Sequence, residues 1–166
     1  MISIKTEEEI EIMRRGGQIL AEALSEVLEQ ISPGVTELDI DKLTEKLILK
    51  QGGEPAFKKV EGYRNTICVS TNDVVVHGVP TSYQFKEGDI VGIDCGVYYK
   101  GFNTDMAETI IVRGPAASFP PASARSIFSV PSAGELRAVG SPSTPVTPIA
   151  EIKRFLKTGE RAMWEG

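Results

Sequence analysis

The feature that most constrains the fold is a long β-hairpin signal in the middle of the chain. The stretch IDCGVYYKGFNTDMAET, residues 93–109, reads as two strands joined by a tight turn at Lys100-Gly101. Aspartate is normally depleted from strand interiors, yet Asp94 lies within the first strand and Asp105 within the second. The sequence therefore predicts an antiparallel sheet. The presence of an aspartate within each of its two strands needs a physical explanation.

The length of the turn decides where these aspartates lie. With a two-residue turn, Tyr99 pairs with Phe102, and Asp94 and Asp105 become diagonal neighbours on one face of the sheet. Diagonal neighbours are roughly 7–8 Å apart at the backbone, so their carboxylates can share cations, and this spacing suits a pair of divalent metals. A three-residue turn would put them on opposite faces. Two solvated edge aspartates, one of them salt-bridged, are the alternative that composition alone favours.

Two helices are predicted before the sheet. The first opens at Thr6, where Thr6 and Glu9 can form a capping box, and its apolar residues recur near the 3.6-residue period. The sequence SPG at residues 32–34 stops it. The second helix starts near Thr36 and ends at the glycine pair 52–53.

The segment TICVSTNDVVVHGVP, residues 66–80, is predicted to form two short strands broken at Asn72-Asp73. The only histidine of the chain, His77, follows the second of them. A single histidine cannot build a histidine-rich zinc site. His77 is either a satisfied surface or core residue, or a hydrogen-bond donor that reaches into a pocket beside the carboxylates.

Composition narrows the function classes. The 166 residues carry a net charge of -5, with 41% apolar and 25% charged residues, as in an ordinary globular domain. This balance offers no basic surface for nucleic acid or an anionic membrane, and no apolar run approaches the roughly 20 residues that span a bilayer. The N-terminus lacks the features of a secretory signal, so we expect a cytoplasmic protein in which Cys68 and Cys95 are reduced, buried thiols.

The character of the sequence changes at Gly114. Residues 114–150 are crowded with Pro, Ser, Ala and Gly and are predicted to be a disordered insert. A short amphipathic segment follows over residues 151–166 and is predicted to be the start of a truncated helix. Residues 1–113 are therefore predicted to form the folded domain.

Two stretches resemble the type I methionine aminopeptidases. They are GYRNTICVSTNDVVVHGVP, residues 62–80, and EGDIVGIDCGVYYKGFNTDMAET, residues 87–109, and they contain the N-[DE]-V-V-x-H-G-[IV]-P, G-D-I-V-x-[IL]-D and G-[FY]-x-x-D elements of that family in its order. The likeness extends over roughly residues 2–113. It implies an α/β (α+β) fold, the N-terminal half of the "pita-bread" aminopeptidase fold, with an antiparallel sheet flanked by helices.

The resemblance also implies roles for individual residues. Asp94 and Asp105 match the first two of five ligands that hold two divalent metal ions, such as Co, Mn, Fe or Zn. His77 matches the histidine that hydrogen-bonds the scissile peptide, and Tyr63 and Cys68 match the pocket for the methionine side chain. The implied substrate is the N-terminal methionine of nascent polypeptides at the ribosome, and the implied state of the full-length family is a monomer.

The chain departs from this pattern after the hairpin. The family's remaining ligands, one histidine and two glutamates, come from a second structural half. The ligand histidine is missing by count, because the only histidine, His77, already matches another role, and the family's GHGIG-like stretch is absent as well. We therefore expect a truncated chain with little or no aminopeptidase activity of its own, and methionine release that is abolished by Asp94→Ala would contradict this. Two alternatives stay open: a non-catalytic peptide- or ribosome-binding module with the pita-bread fold, and a relative of creatinase or the proline peptidases.

Overall fold

The structure, a computed structural model, describes residues 4–114. The chain divides into two units, Met1–Phe119 and Pro120–Gly166, and every described residue belongs to the first. The predicted insert and the predicted helix start, from residue 115 onward, lie outside the described residues. The described elements are helices α1 (Glu7–Gln30) and α2 (Glu37–Lys50), strands β1 (Glu54–Pro55), β2 (Ile67–Thr71), β3 (Ile90–Tyr99) and β4 (Phe102–Ile111), and a short 3-10 helix (Phe57–Lys59).

Both helices begin where the sequence places a capping threonine. In α1 the Glu9 amide donates to the Thr6 hydroxyl, and the Thr6 amide donates in return to the Glu9 carboxylate at 2.8 Å. In α2, Thr36 and Asp39 form the same reciprocal pair. These caps satisfy amides that have no partner within the helix, which fixes both starting points.

The four strands form one antiparallel sheet with β3 in the centre. β4 pairs with β3 over its full length, from Tyr99 opposite Phe102 to Ile90 opposite Ile111. β2 and β1 share the other edge of β3, at its two ends. The predicted antiparallel sheet with flanking helices is therefore confirmed.

The core lies between this sheet and the two helices. Alternate residues of β3 point into it and are almost fully buried: Val91, Ile93, Cys95 and Val97. They meet the apolar face of α1, including Ile19, Leu20, Leu24, Val27 and Leu28. Because side chains alternate across a strand, the remaining residues of β3 point away from the helices.

One strand prediction is wrong. Residues 67–71 form β2, but Val74, Val75 and Val76 form a loop and not a second strand. Their β-branched side chains favour a strand, yet no neighbouring strand pairs with them, and Asn72 and His77 on either side adopt positive φ angles of 54° and 53°. The segment turns out of the sheet because the backbone on each side of the valines is left-handed.

Neither of the two described helices is long and apolar enough to cross a membrane.

Candidate metal and peptide site

The face of the sheet that points away from the helices carries the candidate site. Asp94 lies on this face of β3, between Ile93 and Cys95, whose side chains are buried on the other. Cys68 of β2 is opposite Asp94 on one side, and Ala107 of β4 is opposite it on the other. We refer to this surface as the site face.

The register of the hairpin places the second aspartate beside the first. Lys100 and Gly101 form a two-residue turn in which both φ angles are positive, 45° and 97°, the pattern of a type I′ hairpin turn. Asp105 is therefore paired with Gly96, two residues from Asp94 and on the same face. The predicted register and the diagonal relation of the two aspartates are confirmed.

The two carboxylates repel each other. The pKa of Asp94 is raised above its usual value, first because the group is partly buried and second because the charge of Asp105 lies nearby. His77 and the backbone amide of Cys95 lower this pKa, but do not cancel the rise. Within residues 4–114, neither aspartate takes part in a salt bridge. The pair is thus a partly buried negative site that a cation would stabilise.

Tyr63 and Cys68 form a wall beside Asp94. The Tyr63 hydroxyl donates to the Ile67 carbonyl at 2.7 Å and lies 3.4 Å from the Cys68 sulfur. Burial raises the pKa of the Cys68 thiol, and the charges of Asp94 and Asp105 raise it further. The thiol therefore stays protonated and neutral at physiological pH. The pKa of Tyr63 is likewise raised, mainly by burial, so that its hydroxyl stays protonated.

Phe57 is part of the same wall and was not predicted from the sequence. Its ring packs edge-to-face against Tyr63 with centroids 6.4 Å apart. It also lies so close to Gly96 that a Cβ there would be only 2.9 Å from the ring. A glycine in the middle of a strand often marks such a close approach, so Gly96 was the signal that something covers this position.

His77 approaches the site from the loop of residues 72–80, which follows β2. It is exposed, its backbone is left-handed, and it is close enough to Asp94 to lower the pKa of that carboxyl. The structure therefore brings His77, Asp94, Asp105 and the Tyr63–Cys68 wall to one region, although His77 lies in a loop and not at the end of a strand. Their functional roles stay predictions.

Comparison with known proteins identifies the family. A model of metallopeptidase family M24 matches residues 11–141. The chain belongs to metallopeptidase family M24. The methionine aminopeptidase of Clostridium perfringens is 46% identical over 109 residues, which make up 66% of this chain and 44% of that protein.

Solved structures of M24 peptidases share the fold. The crystal structure of methionine aminopeptidase from Thermotoga maritima matches with a TM-score of 0.66 and 46% identity, and covers 69% of this chain and 46% of that one. Xaa-Pro dipeptidase from Bacillus anthracis matches with a TM-score of 0.59 and 34% identity, over 68% of this chain and 30% of that one. The resemblance to methionine aminopeptidases and the pita-bread fold are therefore confirmed. The chain spans about 44% of the length of the Clostridium perfringens protein.

Membership of M24 implies a metal, and the described residues fit one in part. Asp94 and Asp105 supply hard oxygen donors whose mutual repulsion a divalent cation would relieve. Among residues 4–114, however, no group of three or more His, Cys, Asp or Glu side chains could hold a metal ion. The described part of this M24 chain thus offers two carboxylates on one face of the sheet, fewer than a complete metal site needs.

Proposed function

We propose that this chain carries the first two metal ligands and the methionine pocket of a methionyl aminopeptidase, which removes the initiator methionine from nascent proteins. The observation that carries the proposal is the placement of Asp94 and Asp105 as diagonal neighbours on the site face, directly beside the Tyr63–Cys68 wall. A peptide held against this wall would present its first peptide bond to the carboxylate pair. Similarity to methionine aminopeptidases supports the same reaction.

Asp94 and Asp105 would hold the divalent ions. When bound, two such ions lower the pKa of water and polarise the peptide carbonyl, which is the chemistry that peptide hydrolysis at neutral pH needs. The described residues do not choose among Co, Mn, Fe and Zn, because oxygen-rich sites accept several divalent ions and cellular availability decides. Asp94 is half-buried and Asp105 is exposed, so a cation held between them would lose more of its water on the Asp94 side.

The wall formed by Tyr63, Cys68 and Phe57 would bind the methionine side chain. Aromatic ring edges and a neutral thiol suit a polarizable thioether better than a charged or strongly hydrated group. His77 would donate a hydrogen bond to the scissile peptide, and to the charge that develops on it during hydrolysis. In this proposal the substrate is the N-terminus of a nascent polypeptide at the ribosome, in the cytoplasm.

The metal site can be tested without turnover. We expect the chain to bind Mn²⁺ weakly, with a Kd on the order of 10⁻⁴ M or above, because two carboxylates leave most of the coordination sphere to water. Paramagnetic broadening of the backbone NMR signals of residues 94–96 and 105–107 would locate the ion. Asp94→Ala should remove this broadening, whereas Glu22→Ala, which deletes an exposed carboxylate on α1, should leave it unchanged. Broadening that is equal in all three proteins would contradict the site.

The methionine pocket needs a separate test. We expect the peptide Met-Ala-Ser to shift the NMR signals of Tyr63, Cys68 and His77 in the presence of Mn²⁺ or its diamagnetic substitute Zn²⁺, and Ala-Ala-Ser to shift them much less. Equal shifts with both peptides, or shifts confined to another surface, would sink the proposal. Binding that survives Asp94→Ala and metal removal would favour the non-catalytic binding module instead. Release of free methionine, lost in Asp94→Ala, would show that these 166 residues suffice for the reaction.

A further inference from the structure

The loop that carries His77 is not held in place by a hydrophobic core. Its apolar side chains face solvent: Val75 is 88% exposed, Val76 65% and Val79 56%. An open cavity of about 500 Å³ borders the loop, so side-chain packing does not fill the space around it. The lining of this cavity includes Glu37, Thr71, Val74, Gly78, Thr81 and Tyr83. Polar contacts must therefore determine where the loop lies.

One set of polar contacts fixes the start of the loop. The Asn72 amide donates to the Ile90 carbonyl, and the Asn72 side chain accepts from the Ile90 amide at 3.0 Å. The same side chain donates to the buried carboxylate of Asp89 at 2.9 Å. Asp89 also accepts from the Tyr83 hydroxyl and the Lys86 amide. These bonds hold the first residue of the loop against the start of β3.

A second buried carboxylate joins both ends of the loop. Glu37, the first residue of α2, is only 5% exposed. One of its oxygens accepts from the Thr71 hydroxyl at 2.6 Å, and the other accepts from the Thr81 amide at 2.9 Å and the Thr81 hydroxyl at 2.8 Å. Thr71 is the last residue of β2, and Thr81 follows the loop. Glu37 thus closes the base of residues 72–80 from outside.

The middle of the loop is strained and docks on β2. His77 has a φ of 53°, a left-handed conformation that is unfavourable for a residue with a side chain. The following residue returns to the sheet, where the Gly78 carbonyl accepts from the Val69 amide at 2.8 Å. Such strain persists only where the surroundings enforce it, and the Gly78 backbone, directly after His77, is bonded to both Val69 and Ser70 of β2.

We propose that Glu37 is a positioning residue for His77. By holding Thr71 and Thr81 together, it keeps Gly78 docked on Val69 and holds the imidazole beside Asp94. The proposal rests on the proposed role of His77 toward substrate, but the position of the loop can be measured independently. Glu37 does not touch the site face itself.

Hydrogen exchange tests the loop directly. We expect Glu37→Ala to accelerate exchange of the Val69 amide, whose partner is the Gly78 carbonyl, by about tenfold or more. The Ile67 amide lies in the same strand as Val69 and donates to Asp41 of α2. It should keep its protection, which would show that β2 is intact. Glu37→Gln should largely restore Val69, since an amide can still accept from Thr81 and donate to Thr71. Glu45→Ala removes a carboxylate of the same helix that pairs with Lys58, and should change neither amide.

The imidazole gives the second readout. Since His77 is the only histidine, its ring signals are unambiguous, and we expect them to move in Glu37→Ala and to stop responding to Met-Ala-Ser while Tyr63 still responds. If Glu37→Ala does not fold, Thr81→Val removes one bond to Glu37 and should give a smaller acceleration at Val69. Unchanged Val69 exchange and His77 signals in a folded Glu37→Ala protein would overturn the proposal. If the His77 ring signals of the wild-type protein do not move when Met-Ala-Ser is added, the proposed function is overturned instead. The Val69 exchange result would still test the role of Glu37.

Discussion

Gly78→Ala is expected to release the His77 loop from β2. An ideal Cβ at this position would lie 2.0 Å from the carbonyl oxygen of Val69 and 2.9 Å from its carbon, distances that no side-chain rotation can relieve because both atoms belong to the backbone. The loop and the strand must therefore move apart, and the bond from the Val69 amide to the Gly78 carbonyl breaks. We expect a loss of about 1–3 kcal/mol in the free energy of unfolding.

Urea denaturation together with exchange of the Val69 amide measures this effect. Gly17→Ala is the matched control, since Gly17 lies within α1 with nothing within 4 Å of its Cβ position. That substitution should stabilise the protein by about 0.5–1 kcal/mol, because alanine favours a helix over glycine. A Gly78→Ala protein as stable as wild type, with Val69 still protected, would mean that the loop does not dock as described.

Asp41→Ala is expected to destabilise the edge of the site. Asp41 of α2 is 7% exposed, and one of its oxygens accepts from the Thr66 amide at 2.7 Å and the Ile67 amide at 3.1 Å. The other accepts from the Asn65 side chain. Alanine would leave two buried amides at the start of β2 without this acceptor, and we expect a cost of about 2–3 kcal/mol.

Thermal or urea unfolding of Asp41→Ala, compared with Asp41→Asn, separates loss of the hydrogen-bond acceptor from loss of the negative charge. The asparagine side chain keeps an oxygen for both amides, so it should recover most of the stability. NMR signals of Tyr63 and Cys68 should shift in Asp41→Ala, because Cys68 lies in β2 and the Tyr63 hydroxyl donates to Ile67 of the same strand. Equal stability of wild type and Asp41→Ala would show that the carboxylate is not what fixes the start of this strand.

Local signals in the sequence predicted much of this site. The threonine caps gave the starts of both helices, since capping depends on residues three apart. The turn at Lys100-Gly101 gave the whole register of the hairpin, because side-chain direction alternates strictly along both strands. From that register alone, Asp94 and Asp105 could be placed on one face.

The buried carboxylates could not be predicted in this way. Asp41 reaches amides 25 and 26 residues away, and Glu37 reaches a hydroxyl and an amide 34 and 44 residues away. No spacing rule in a single sequence marks such pairs, and both residues lie in the first half of a helix where acidic side chains are ordinary. The Val74–Val76 loop was missed for the converse reason. Its residue types favour a strand, but the fold gives them no partner.

The two-residue turn at Lys100-Gly101 couples the position of Asp105 to the packing of the core. Insertion of a single residue there would rotate every following side chain of β4 to the opposite face. Asp105 would then turn toward the helices, and Ile110, now 7% exposed in the core, would turn outward. A change in turn length that separated the two aspartates would thus also disrupt the core. The register that buries Ile110 is therefore the same register that places Asp94 and Asp105 side by side, so a stable hairpin already fixes their spacing before any cation binds.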